Sequence, residues 1–278
     1  MDTNLSCDIK GHPEAPVLLL GSALGSDRHM WDDVMPALTK FRVVRYDLPG
    51  HGLSPLLDVD GPAQVEDLGR AILKMLDDVG VDTFHAAGLS LGGMLSLWLA
   101  INAPQRVKSV TMLSSGPVLE PSSAWEEKAA AVRSNGTQSL VDATMQRWFT
   151  PQFLAQRGPR VQRTRNTFIS CADEGYAQCC EVIASMDNRD GAATLAQPLN
   201  IICATHDQTL PPDEAQEFAK TVRNGGNDAV TVQEITDAAH MSAVERPDEV
   251  RVALSQAMAQ VKPFRFKFGA TKLSYGMK

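Results

Sequence analysis

Gly88-Leu89-Ser90-Leu91-Gly92 ends one short apolar run and opens directly into another, Gly92 to Ala100, that reads as helix. A serine on so sharp a strand-to-helix turn occupies strained backbone, so the flanking positions must lack bulk where strand and helix approach. Gly88, Gly92 and Gly93 supply that room. The same geometry lifts a hydroxyl out at the end of a strand, and it identifies Ser90 as a candidate nucleophile. A chain of ordinary composition contains Gly-x-Ser-x-Gly by chance about one time in ten, so the reading depends on partners elsewhere.

A nucleophilic serine needs a base for its proton and an acid to orient that base. On this type of turn the partners follow in the order Ser, Asp or Glu, His. After Ser90, the apolar run Leu199 to Ala204 leads into Thr205-His206-Asp207-Gln208, which puts Asp207 at a strand's C-terminal end. The run ending near Ile235 leads into Thr236-Asp237-Ala238-Ala239-His240, just before a final helical pattern. His206 adjoins the acid and is poorly placed to bridge it to Ser90, so the expected triad is Ser90, Asp207 and His240. The oxyanion formed on attack needs two preorganised N–H donors. Leu91, next to the nucleophile, is one, and Leu24, in the small-residue loop Gly21 to Asp27, is the other.

The rest of the chain alternates in type. Residues 3 to 9, Val17 to Leu20, Phe41 to Tyr46, Phe84 to Leu89 and Val107 to Leu113 read as strands, with helices at Trp31 to Leu38, Val65 to Val79 and Gly92 to Ala100. Leu68, Ile72, Leu76 and Val79 recur at helical spacing. This alternation predicts an α/β fold with a mostly parallel central sheet flanked by helices. Pro121 to Asp190 has few strand signals and several helical ones, Trp125 to Arg133, Leu140 to Phe149 and Gly175 to Met186, and is expected to be an inserted helical cap. Asp213 to Val222 and Pro247 to Val261 resume the helices. The expected organisation is a core over 1–120 and 191–261, the cap over 121–190 and a basic C-terminal tail over 262–278. Asp47 and His51, in Asp47-Leu48-Pro49-Gly50-His51-Gly52, are read as parts of a structural turn.

Composition narrows the partners. With 26 basic and 33 acidic residues the formal charge is -7, which favours a small-molecule partner over nucleic acid or an anionic membrane. Five cysteines without CxxC spacing suggest neither a disulfide framework nor a metal site, and fit reduced thiols in a cytoplasm. No run of eighteen apolar residues occurs, and the first residues lack a basic segment before an apolar one, so neither a membrane span nor secretion is expected. Oligomeric state is left open.

The segments ALGSDRHMWDDVMPAL, RYDLPGHGLS, GLSLGGM, RWFTPQF, GYAQCCEVIASMD, ATHDQTLPP and AAHMSAVERPDEV, spread over residues 17 to 258, together resemble the 3-oxoadipate enol-lactonases of the α/β-hydrolase superfamily. RWFTP and GYAQCC fall in the cap, where hydrolases of this fold differ most. Ser22-Ala23 stands where relatives often carry Asn-Ser or His-Gly, and the basic tail is not general to the family. The resemblance implies the α/β-hydrolase fold, a lactone substrate bearing a free carboxylate, and no metal or organic cofactor. Such a carboxylate calls for a cation in the pocket. Arg133 and Arg147 are the expected candidates, with Trp125 and Trp148 as apolar walls. Other ester hydrolases, carbon-carbon bond hydrolases and perhydrolases of the same fold would share the triad. A small-molecule receptor with slow hydrolysis is the alternative of a different class.

Overall fold

The computed structural model describes residues 3–119 and 121–259. The expected tail over 262–278, and with it the feature that favoured a receptor, lies outside the described residues.

Seven strands form one sheet: β1 Cys7–Lys10, β2 Val17–Gly21, β3 Arg42–Tyr46, β4 Phe84–Leu89, β5 Val107–Leu113, β6 Leu199–Ala204 and β7 Val230–Ile235. Their spatial order is β1-β3-β2-β4-β5-β6-β7, and only β1 runs antiparallel, against β3. The central strands β4 and β6 are covered on both faces, which is why their sequences are apolar without alternation. Ser90, Asp207 and His240 all follow C-terminal strand ends, where open parallel sheets place ligands.

Helices α1 Val65–Asp78, α2 Leu91–Asn102, α9 Pro212–Asn224, α10 Ser242–Glu245 and α11 Pro247–Ala257 belong to the core. On α1, Leu68, Ile72 and Leu76 are buried as their spacing predicts. From Leu91 to Ala100 every residue of α2 is buried, which accounts for a helix apolar on all sides. One expectation changes: Trp31 to Leu38 is not a single helix but two short 3-10 turns, Arg28–Trp31 and Met35–Leu38. Pro36 has no N–H to continue a helical ladder, and the Asp27 carboxylate caps the first turn through the His29 N–H at 2.9 Å.

Between β5 and β6 lie α3 Ser122–Asn135, α4 Val141–Trp148, α5 Pro151–Ala155, α6 Pro159–Ser170, α7 Asp173–Ser185 and α8 Arg189–Ala193. Val118 and Asp187 pair as an antiparallel bridge, so the chain enters and leaves this helical segment side by side. Helix α7 sits against the Pro49 to Gly52 turn, where the Ala172 N–H donates to the Gly50 carbonyl at 2.9 Å. That turn is structural, as expected: Asp47 accepts from the Arg28 N–H at 2.8 Å and the Leu53 N–H at 3.1 Å. No helix among the described residues is long and apolar enough to cross a membrane.

Candidate active site

Strand β4 ends at Leu89 and helix α2 begins at Leu91, so Ser90 alone turns the chain. Its backbone sits at φ 56°, ψ −120°, a left-handed conformation that costs a non-glycine residue about 1–3 kcal/mol. Neighbouring strands hold it there: the Ser90 N–H donates to the Leu113 carbonyl at 2.9 Å, and the Ser115 hydroxyl donates to the Ser90 carbonyl at 2.8 Å. The flanking glycines are required by contact. A Cβ on Gly88 would lie 2.2 Å from the Gly92 carbonyl carbon, and one on Gly92 would lie 2.3 Å from that of Gly21.

The loop after β2 packs beside this turn, with the Gly92 N–H donating to the Ser22 carbonyl at 3.2 Å. Leu24 and Leu91 are buried, and neither N–H has a hydrogen-bond acceptor among the described residues. The Leu91 N–H is also the first of α2, where the helix dipole favours negative charge. Next to Leu24, Gly25 adopts φ +84° and donates its N–H to His51 Nε2 at 2.9 Å. His51 Nδ1 faces the Pro49 carbonyl at 2.7 Å, which can only accept, so the proton sits on Nδ1 and Nε2 is the acceptor. Complete burial lowers the His51 pKa to about 4 and keeps the ring neutral.

Asp207 follows β6, and its Oδ1 lies 3.0 Å from His240 Nδ1 while accepting the Thr209 N–H at 2.9 Å. Burial opposes its charge, yet the adjacent His240, the Thr209 N–H and Ser114 together hold the carboxyl below its ordinary range. An ionised Asp207 fixes the His240 proton on Nδ1 and leaves Nε2 unprotonated. Ser90 and His240, both buried, open onto one cavity of about 490 Å³. A hydroxyl, an imidazole held by a carboxylate, and two unengaged N–H donors are the parts that acyl transfer needs.

The cavity places the expected binding residues unequally. Leu24, Trp125, Arg147 and Trp148 line it, together with Lys128, Tyr176, Gln208, Thr209 and Glu214. Arg133 does not. Helix α3 packs on α7, which sets the Arg133 guanidinium against Glu174 at 2.6 Å and Glu181 at 2.5 Å. The expectation that Arg133 reaches a substrate is therefore corrected: its charge is already matched by Glu174 and Glu181, away from the cavity lining. Lys128 was not foreseen, although it lies three residues beyond Trp125 on the same helical face. Its ammonium sits 3.9 Å from the Trp125 ring centre. Burial, and then the positive charge of Arg147, depress the Lys128 pKa. Neither Lys128 nor Arg147 has an ion-pair partner among the described residues.

Residues 16–247 match the family model for the alpha/beta hydrolase fold. The chain is 31% identical over 246 residues to 3-oxoadipate enol-lactonase 1 of Acinetobacter baylyi, covering 88% of this chain and 89% of that one. It is 27% identical over 260 residues to 3-oxoadipate enol-lactonase 2 of the same organism, covering 92% and 94%. The crystal structure of the enol-lactonase from Burkholderia xenovorans LB400 matches with a TM-score of 0.85 at 30% identity, over 92% of this chain and 96% of that one. With the family model matched over residues 16–247 and relatives matched along nearly its whole length, the chain belongs to the alpha/beta hydrolase family.

Proposed function

We propose that the protein is a serine hydrolase that opens 3-oxoadipate enol-lactone to 3-oxoadipate in aromatic-compound catabolism, acting in the cytoplasm. The observation that carries this reading is the pair of cavity cations. Lys128 and Arg147 face the same space as Ser90 and His240, repel one another, and form no ion pair with Glu214 of the same cavity or with any other described carboxylate. A substrate carboxylate relieves that repulsion and accepts hydrogen bonds from both, while Trp125 and Trp148 cover its apolar ring. Resemblance to enol-lactonases of Acinetobacter baylyi and Burkholderia xenovorans supports the choice of an anionic lactone. The five cysteines, none in a disulfide, fit a reducing compartment.

With the carboxylate held by the cap, the lactone carbonyl lies over Ser90. His240 Nε2 takes the hydroxyl proton as Ser90 Oγ adds to the carbonyl carbon, and the Leu24 and Leu91 N–H groups hold the resulting oxyanion. Collapse breaks the ring C–O bond and expels an enolate, a better leaving group than an alkoxide. The proton that His240 took from Ser90 passes to the enolate, which becomes the ketone, and His240 is again a free base. Water, deprotonated by His240, adds to the acyl-Ser90 ester, and the second collapse returns the proton to Ser90 Oγ and releases 3-oxoadipate. Kinetics of Arg147→Ala with the anionic lactone test the reading: KM is expected to rise, and an unchanged KM would contradict the proposed carboxylate site.

A further inference from the structure

One buried carboxylate joins the cap to the loop that carries His240. Glu245, on the short helix α10, is 5% exposed. Its Oε1 accepts the Thr150 N–H at 3.2 Å and the Thr150 hydroxyl, and its Oε2 accepts the Ala239 N–H at 3.0 Å. Alongside, the Met241 N–H donates to the Trp148 carbonyl at 2.9 Å. The residues on either side of His240 are therefore both tied to the cap segment that directly follows Arg147. Trp148 and Arg147 line the same cavity as His240.

A substrate that spans the site has its reacting carbonyl at Ser90 and its charged end at the cap. Its reaction is sensitive to the relation between those two ends, since a misplacement of about 1 Å costs on the order of 100-fold in rate. We propose that Glu245 is a positioning residue that locks the His240 loop to the Trp148 to Thr150 segment, so that the base and the cap wall move as one piece. Thr150 is its partner in this lock. The inference rests on the reading of Ser90 and His240 as the hydrolytic pair.

Glu245→Gln replaces an acceptor oxygen with an amide donor and leaves one of the three donors unmatched. Thr150→Val removes the hydroxyl at nearly constant shape, and Thr150→Ser restores it. Each is assayed on the anionic lactone and on p-nitrophenyl acetate, which needs the triad but no cap cation, with thermal unfolding and the low-field NMR signal of the His240 Nδ1 proton as further readouts. The expected result is a fall in kcat of about 10- to 100-fold on both substrates for Glu245→Gln and Thr150→Val, KM for p-nitrophenyl acetate within about twofold, a shifted His240 signal, and recovery in Thr150→Ser. Folded variants that lose thermal stability alone, with kcat and the His240 signal unchanged, would overturn the proposal. If Glu245→Gln fails to fold, Thr150→Val decides. Should the parent protein hydrolyse p-nitrophenyl acetate but not the lactone, the substrate reading fails while the lock is still judged on the ester. The NMR signal judges it without any turnover.

Discussion

Arg133 and Arg147 carry the same charge in the same cap, and their surroundings give them different work. Arg133 meets two carboxylates at hydrogen-bond distance, from Glu174 and Glu181, 41 and 48 residues along the chain. Arg147 lines the cavity beside Lys128. Removing Arg147 as Arg147→Ala is expected to raise KM for the anionic lactone about 10- to 100-fold, the loss of a charge-assisted contact. Arg133→Ala should leave KM within about twofold, because its exposed ion pairs contribute little even to stability. Equal effects from the two substitutions in steady-state kinetics would contradict this assignment. Nothing local in the sequence separates these arginines, since the distinction is made by how α3 packs on α7. Lys128 was hidden for the same reason. That Ser90, Asp207 and His240 come together at the C-terminal strand ends, by contrast, was legible because each sits where an apolar run stops, and a strand end fixes position whatever the side-chain packing.

Among the elements, the β4-α2 turn is the most constrained. Three backbone segments meet at Gly21, Gly88 and Gly92, and side-chain movement cannot relieve a contact between main chains. Gly92→Ala places its Cβ 2.3 Å from Gly21. It is expected to destabilise the protein by about 3 kcal/mol or more, at the upper end of overpacking effects, and to misplace the Ser90 turn. Urea denaturation and residual esterase activity measure the two consequences; a variant of parent stability would show that the close approach is not needed. Glycine spacing made this element readable. The segment from Trp31 to Leu38 was not, because its apolar residues fit helical periodicity while Pro36 denies the ladder a donor. The lock through Glu245 was equally unreadable. An acid ahead of a Pro-initiated helix resembles ordinary first-turn charge, and its partner Thr150 is 95 residues distant.

At the scale of the whole molecule, a helical cap closes over the C-terminal edge of a mostly parallel sheet, and buried polar contacts join the two layers. The alternation of strand and helix patterns exposed this architecture in the sequence, whereas the contacts across the layers depend on pairs far apart in the chain. His51, buried between the Pro49 turn and the loop after β2, makes stability depend on pH. The folded protein keeps the ring neutral down to about 4, whereas an unperturbed histidine takes its proton near 6.5. The unfolded chain therefore binds the extra proton in this window, and the His51 contribution is complete above about 6.5 and is lost as pH falls toward about 4. The full effect is on the order of 3 kcal/mol. Denaturation of the parent and of His51→Gln, which keeps an acceptor but does not titrate, should show a shallower acid loss in the variant; identical pH slopes would contradict the account. Ser90 and the lactone are tested together. Ring opening of 3-oxoadipate enol-lactone, followed by loss of absorbance, should proceed for many turnovers with the parent protein and vanish with folded Ser90→Ala. Turnover that survives the substitution, or a folded parent that leaves the lactone intact, would contradict it.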